Sequence, residues 1–467
     1  MDPFSESPSP SRQVGDEEAL LVSGHLSSSA VDVEKIAPPE GQYSGASAVF
    51  GPGSTVLRLG GLLAGLLFVA SFILLYVPRP LQLQSSKPQQ HQQQQQPQNP
   101  QIHPLSHEKY LLSQVAKDLS PFNDSRISSG ISLQQVERVY CNCDQGGFRL
   151  QIIDGQMYIV GERHGLQTRV RNTKLLVMHL MHQYTLPDVD IGWVSTDDTV
   201  MEADAGRYWE CPEQGPVLVM TKQPHHDHCI MYPDFTFWDW EEAYAVPWQD
   251  MQKVMKEAAG QEPWKGRKEL LFARAFNLGE ARNTLKDNEG DLGNHELMDV
   301  RIIDWHADPG LFVDLQQHCQ YKWLLHTAGN TYSARLKYLL FCKSAVVLPD
   351  SPWQEFFYHM LQAGHNVLRV EALTRDNKAA HLPAVARYLQ EHDEEAEEIG
   401  QAGAAFARKH LSRESVALYY KELIESYAGL MKFKPTVHPD AVPIEKSLLN
   451  DLTRPFHERT CNICPRT

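Results

Sequence analysis

Residues 321–337 read YKWLLHTAGNTYSARLK. An apolar run of strand character gives way at His326 to a Gly-containing turn, and Ser333, Arg335 and Lys337 occupy the expected start of the next helix. Such a turn makes a sensible anion cradle: free backbone N–H groups and the helix dipole favour phosphate, and arginine supplies forked donors. The plain alternative is an ordinary capped helix with exposed basic residues. Upstream, LFARAFNLGEAR at 271–282 has the same layout: a strand-like run carrying Arg274, a small-residue turn, then Arg282. With Arg274 and Arg282 added, a diphosphate site becomes the better reading.

Outward from these two segments the chain alternates short apolar runs (LLVMHL, VDIGWV, PVLVM, LLFARAF, YKWLLHT, SAVVLP) with polar or helix-like stretches. That alternation predicts a layered α/β protein with parallel sheets. Residues 382–435 repeat apolar positions at spacings of three and four with charges between, a helical block whose acidic run is a solvated face. At 186–198, LPDVDIGWVSTDD ends a strand-like run in two carboxylates, where an acid can serve as general base at the carboxyl end of a strand. Asp188 and Asp190 in the same segment form a D-x-D pair with a spacing that can hold a divalent cation, or simply cap turns. PHHDHC at 224–229 has the composition of a metal cluster without its spacing and reads as a polar loop. The aromatic stretch after it, MYPDFTFWDWEEAYAVPW, offers stacking faces for sugars or bases.

The 467 residues carry 43 Lys plus Arg against 58 Asp plus Glu, a formal charge of −15 that makes nucleic acid a poor partner. Hydrophobic residues at 42% exclude a wholly disordered chain. Residues 1–58, with eight acidic and three basic residues and no apolar period, are expected to be a disordered tail. LGGLLAGLLFVASFILLYV at 59–77 is uncharged, and nineteen residues at about 1.5 Å each come close to bilayer thickness, so a single transmembrane anchor is expected. Residues 78–135 are expected to be stem and linker, since 82–101 alone hold eleven Gln. Asn123-Asp124-Ser125 is a glycosylation sequon, usable on the lumenal side of a secretory membrane.

From about Cys141 to Met431 the chain resembles the Rumi-like protein O-glucosyltransferase and O-xylosyltransferase family, glycosyltransferase family 90. The resemblance is carried by DVDIGWVSTDD, by YPDFTFWDW followed by PW, by Arg274 and Arg282, and by GNTYSARLKYLLFCKSAVVLPDSPWQEFFY. It implies a GT-B architecture, two Rossmann-like halves facing a cleft: an acceptor-side half at 136–255, a nucleotide-sugar half at 256–435 with closing helices, and a tail at 436–467. It also implies an inverting transfer of glucose, xylose or a related sugar from a UDP-sugar to a hydroxyl of a protein or glycan. No cofactor is tightly bound in that reading, no metal-ligating residue is assigned, and a divalent cation can assist but is not required.

Residue by residue, the resemblance makes Asp197 the base, with Asp198 its substitute one position on. It places Arg274 and Arg282 on the phosphate side, and Gly329, Ser333 and Arg335 in the nucleotide turn. Four positions depart from the family pattern: Thr196 precedes the base where Arg is usual, Asp198 and Thr199 follow it where an aromatic and Pro are usual, and Ala275 replaces a Gly. They motivate an alternative, a catalytically inactive membrane-anchored carbohydrate-binding protein on the same scaffold. By analogy the N-terminus is cytosolic and the catalytic part lumenal, a type II arrangement in the Golgi or endoplasmic reticulum. There the eight cysteines can oxidise, in a pairing the sequence leaves open.

Overall fold

The computed structural model of the protein describes residues 107–141, 147–162, 167–195, 197, 215–293, 295–304 and 309–453. The expected tail, the apolar span at 59–77 and the Gln-rich stretch at 82–101 lie outside the described residues, among which no helix is long and apolar enough to cross a membrane. Everything described belongs to one unit, residues 99–467. It opens with α1 (His107–Asn123) and α2 (Leu133–Cys141), formed by residues of the expected linker and just beyond it. Then come β1 (Gly147–Ile153), β2 (Gln156–Val160), α3 (Gln167–Gln183), β3 (Val189–Val194), β4 (Val217–Val219) and β5 (Cys229–Met231). Next are α4 (Trp248–Gln261), β6 (Lys268–Phe276), α5 (Glu280–Asp287), α6 (Glu289–Gly293), β7 (Met298–Ile303), β8 (Tyr321–Leu325), α7 (Leu336–Phe341), β9 (Ala345–Pro349) and β10 (Leu368–Val370). Helices α8 (Leu382–Glu391), α9 (Asp393–His410) and α10 (Arg413–Leu430) precede β11 (Val442–Pro443) and α11 (Ile444–Thr453).

The apolar runs form two sheets. The first has the order β11-β2-β1-β3-β4-β5, antiparallel from β11 to β3 and parallel from β3 to β5. Its hairpin turns at Asp154-Gly155, both with positive φ, the combination a two-residue turn of matching twist requires. The second sheet is wholly parallel with the order β10-β9-β8-β6-β7. In chain order its strands run 5-4-3-1-2, so the direction of winding reverses between β6 and β8. At such a switch point the connections leave to opposite sides and open a crevice at the carboxyl ends of the strands.

Every residue of β3, β8 and β9 is buried, which is why these strands read as unbroken apolar runs rather than alternating ones. Trp193 on β3 stacks on Phe148 at 5.8 Å and meets Tyr232 edge-on at 5.0 Å, filling the space between the first sheet and α10. LLVMHL, expected among the strand-like runs, is helical in α3, where Val177 and Leu180 face the core. A run that short fits either element, and here the longer helical period around it prevails. The block at 382–435 forms α8 to α10, with Asp393, Glu394 and Glu395 in the first turn of α9 and Arg408, Lys409 and His410 in its last, as the helix dipole favours.

Two features fasten parts of the chain that are distant in sequence. Cys319 and Cys342 form a disulfide that ties the start of β8 to the end of α7. Lys174 on α3 is fully buried and bonds to Glu162, to Ser447 at 2.9 Å and to Asp451 at 2.9 Å. Ser447 and Asp451 lie on α11, within the segment expected as a C-terminal tail, and β11 extends the first sheet by pairing with β2. Burial and the neighbouring Glu162 push Asp451 up to about 6, against the pull of Lys174.

Candidate functional site

The crevice at the switch point is a cavity of about 570 Å³. Its walls come from the carboxyl ends of β6 and β7, the turn after β8, the start of α3 and the loops after β3 and β5. Asp197, Arg274, Arg282, Gly329, Ser333 and Arg335, six residues expected from the sequence to act together, all line it. Asp198 lies outside the described residues.

On one side two guanidinium groups meet. Arg282 on α5 is buried and donates from Nε to Thr327 Oγ1 (3.3 Å), from Nη2 to the Thr327 carbonyl (3.3 Å) and from Nη1 to the Phe276 carbonyl (3.2 Å). Arg335 donates from Nη2 to the same Thr327 hydroxyl (3.2 Å), from Nε to Ser333 Oγ (3.3 Å) and from Nη1 to the Arg274 carbonyl. All their acceptors are neutral. Like charges held side by side repel, and more strongly away from water. Burial, and then Arg335, accordingly pull Arg282 well below its usual range, and burial lowers Arg335 to about 10. Asp197 opposes this pull on Arg282, and a pair of cations held on one hydroxyl with neutral hydrogen-bond acceptors is suited to a further anion such as a diphosphate.

Close backbone contact places this pair. Gly279, with φ +81°, lies so near the turn after β8 that a Cβ there would stand 2.0 Å from the Gly329 carbonyl oxygen. A Cβ on Gly329 would meet the Tyr332 carbonyl oxygen at 3.1 Å and Arg282 Nη2 at 3.5 Å. The turns after β6 and β8 thus touch through two glycines, bringing α5 and its Arg282 beside Arg335. Gly279→Ala is expected to cost more than about 1 kcal/mol, because alanine is strained at that φ and the Gly329 carbonyl must move. Urea unfolding and pyrophosphate titration of the variant should show stability and affinity falling together.

Arg274 reaches the cavity wall, but its Nη2 pairs with Asp299 at 2.8 Å and its guanidinium lies over Phe272 at 4.4 Å. It supplies the carbonyl that holds Arg335 and brings its own countercharge. The helix expected to begin the anion cradle is only the six-residue α7, starting at Leu336 with Arg335 as its cap, so guanidinium groups rather than a helix dipole define this side. Lys337 points away from the cavity into a buried contact with Asp234 and Thr236, its ammonium 4.2 Å from the centre of the Phe237 ring.

Asp197, just past the end of β3, lines the same cavity. Arg169 Nη1, in the first turn of α3, lies 2.5 Å from Asp197 Oδ1, and the Thr331 hydroxyl donates to the Asp197 main-chain carbonyl at 2.7 Å. Phe235 and Trp240, from the expected aromatic stretch, line the wall beside Glu242, which accepts from Thr168. His318, also lining the cavity, is brought down to about 4, first by burial and then by Arg335. Nothing local in the sequence marks Arg169, Thr327, Thr331 or Glu242. Arg169 stands just before LLVMHL, a run that reads as strand-like, and the two threonines lie in the turn that carries Ser333 and Arg335.

The D-x-D pair is elsewhere. Asp190 is buried in a two-pronged pair with Arg149, at 2.5 Å from both Nε and Nη2, and also accepts from Gln151 at 2.7 Å. Asp188 caps the Asp154 N–H at 2.8 Å. Both carboxylates fasten the antiparallel side of the first sheet. In PHHDHC, His226 is lowered to about 4 by burial and then by His225, and it lies 6.1 Å from the ring of Trp353. Among the described residues no group of His, Cys, Asp and Glu has the arrangement of a metal site.

The model of glycosyl transferase family 90 matches residues 108–465. The chain is 26% identical over 341 residues to the O-glucosyltransferase rumi of Drosophila pseudoobscura pseudoobscura, covering 68% of this chain and 77% of that protein. It is 29% identical over 334 residues to the O-glucosyltransferase rumi homolog of Aedes aegypti, with the same coverage. Protein O-glucosyltransferase 1 of Homo sapiens is 24% identical over 249 residues, 47% of this chain and 59% of that one. Among solved structures, Anabaena Alr3699/HepE in complex with UDP and glucose aligns at a TM-score of 0.30 and 9% identity, over 45% of this chain and 63% of that one.

Proposed function

Because the chain belongs to glycosyl transferase family 90, we propose that its cavity binds a UDP-sugar and inverts the anomeric carbon in transferring glucose, xylose or a related sugar to a hydroxyl of a protein or glycan acceptor. The observation that carries this reading is the pair Arg282 and Arg335, two cations with neutral hydrogen-bond acceptors, lining one cavity with Asp197. In the proposed step the acceptor hydroxyl attacks the anomeric carbon, Asp197 takes its proton, and the bond from that carbon to the diphosphate oxygen breaks with its electron pair leaving on UDP. Arg282 and Arg335 stabilise the charge that develops on the departing diphosphate. Phe235 and Trp240 offer the sugar an aromatic wall.

In this proposal the two sheets are the two halves of a GT-B enzyme, the second holding the nucleotide and the first carrying the base. The chain is a type II protein of the Golgi or endoplasmic reticulum, anchored by 59–77, with this unit in the lumen. The sequon agrees with that placement, since Asn123 is exposed at the end of α1. Thermal melting of the fragment from residue 105 onward, titrated with UDP and a panel of UDP-sugars with and without a divalent cation, tests the donor. A ligand that binds only the folded state raises the melting temperature, by about 2.7 kcal/mol of stability at a hundredfold excess over Kd. UDP and one UDP-sugar are expected to do so, and no response to any of them would overturn the reading.

A further inference from the structure

The sequence pointed to Asp197 but not to the cation beside it. Arg169 Nη1 is 2.5 Å from Asp197 Oδ1, its guanidinium lies over the Phe235 ring at 5.4 Å, and its side chain is 16% exposed against 36% for Asp197. The neighbouring Thr168 bonds to Glu242, so the first turn of α3 is held to the loop after β5 on the same wall. Among the described residues, the charged and titratable groups that act on this pair from the surrounding elements include Glu242, Tyr332 and Tyr232 on Arg169, and Arg282 and Tyr332 on Asp197.

We infer that Arg169 is a positioning residue that orients the Asp197 carboxylate and holds it ionised, so that the base remains competent in an acidic compartment; this rests on the reading of Asp197 as base. A bare carboxylate half-open to a cavity can rotate and can protonate as the medium acidifies. A guanidinium on one oxygen fixes the plane of the group, and its charge favours the ionised form, typically by about one to three pH units. The cation is itself secure: burial works against its charge, but Asp197, Tyr332 and Glu242 together more than offset this and raise Arg169 above its usual range. Thr331 fixes the main chain of the same residue from the nucleotide turn, so the base is held at its side chain by one half of the cavity and at its carbonyl by the other.

The test is the pH profile of UDP release from UDP-glucose, with UDP-xylose as second donor, for the full chain and for Arg169→Ala and Arg169→Lys. In Arg169→Ala the acid limb of kcat/KM is expected to move about one to three pH units towards neutrality, so that activity disappears earlier on acidification. Arg169→Lys keeps the charge but loses the fork, and should restore most of the limb position with a lower kcat. A purely structural role would lower the rate at every pH and leave the limb in place, and that result would overturn the inference. Melting of Arg169→Ala, Asp197→Asn and the double variant supplies a second reading that needs no turnover: coupled side chains give non-additive shifts. Full activity in Asp197→Asn would instead remove the base assignment on which Arg169 depends, a failure recognisable without any Arg169 variant.

Discussion

Asp197→Asn is expected to lose transfer by about 10²- to 10⁴-fold, the usual contribution of a positioned general base, while UDP binding stays within a few-fold of the parent. The substitution keeps the volume and planarity of the side chain and removes its charge, and with it the capacity to accept a proton. Folding should survive, because the Thr331 bond goes to the main-chain carbonyl of Asp197 and the Arg169 pair is partly open to water. Initial rates with saturating donor, beside a UDP titration of the same preparation, separate chemistry from binding. A variant that turns over within tenfold of the parent would show that the proton leaves by another group.

The second large effect is expected at Arg335. Hydrogen bonds to charged groups contribute about 1.5–3 kcal/mol each, so Arg335→Ala should weaken UDP by roughly 10- to 150-fold. Arg335→Lys should recover little. The guanidinium spreads its donors over Ser333, Thr327 and the Arg274 carbonyl, and an ammonium cannot keep that geometry while facing a diphosphate. Removing one of two like charges also relieves repulsion in the empty cavity, so the melting temperature without nucleotide should change far less than the affinity does. Calorimetric titration with UDP measures the effect, and unchanged affinity in Arg335→Ala would move the diphosphate away from this turn.

What the sequence made legible was local. The layout of strand, small-residue turn and basic residue occurs twice, at β6 and β8, and folding parallel strands side by side brings both turns to the same end of one sheet. Asp197 was legible for the same reason, as a carboxylate at the end of an apolar strand. The misleading features were those whose meaning depends on what faces them. Asp188 and Asp190 share a face of a strand by their spacing, but only the pairing of β1 with β3, Gln151 opposite Asp190, brings Arg149 within reach and makes Asp190 an internal ion-pair partner. Arg169 was hidden likewise: its partner is 28 residues away in the chain and meets it only when α3 packs beside the end of β3.

The last described residues also bear on how the chain is made. Lys174 has its full set of acceptors only when Asp451 and Ser447 arrive, and β2 gains its outer neighbour only when residues 442–443 reach it. During synthesis, therefore, the first sheet waits for residues 442–453. A nascent chain that has exposed everything up to α10 holds a lysine committed to burial without one of its two carboxylates, and a sheet with an uncovered edge. Contacts separated by nearly the whole length of a unit form slowly, because loop closure precedes any gain from them. The second sheet, whose strands are all encoded between residues 268 and 370, can assemble ahead of the first although the ribosome delivers it later.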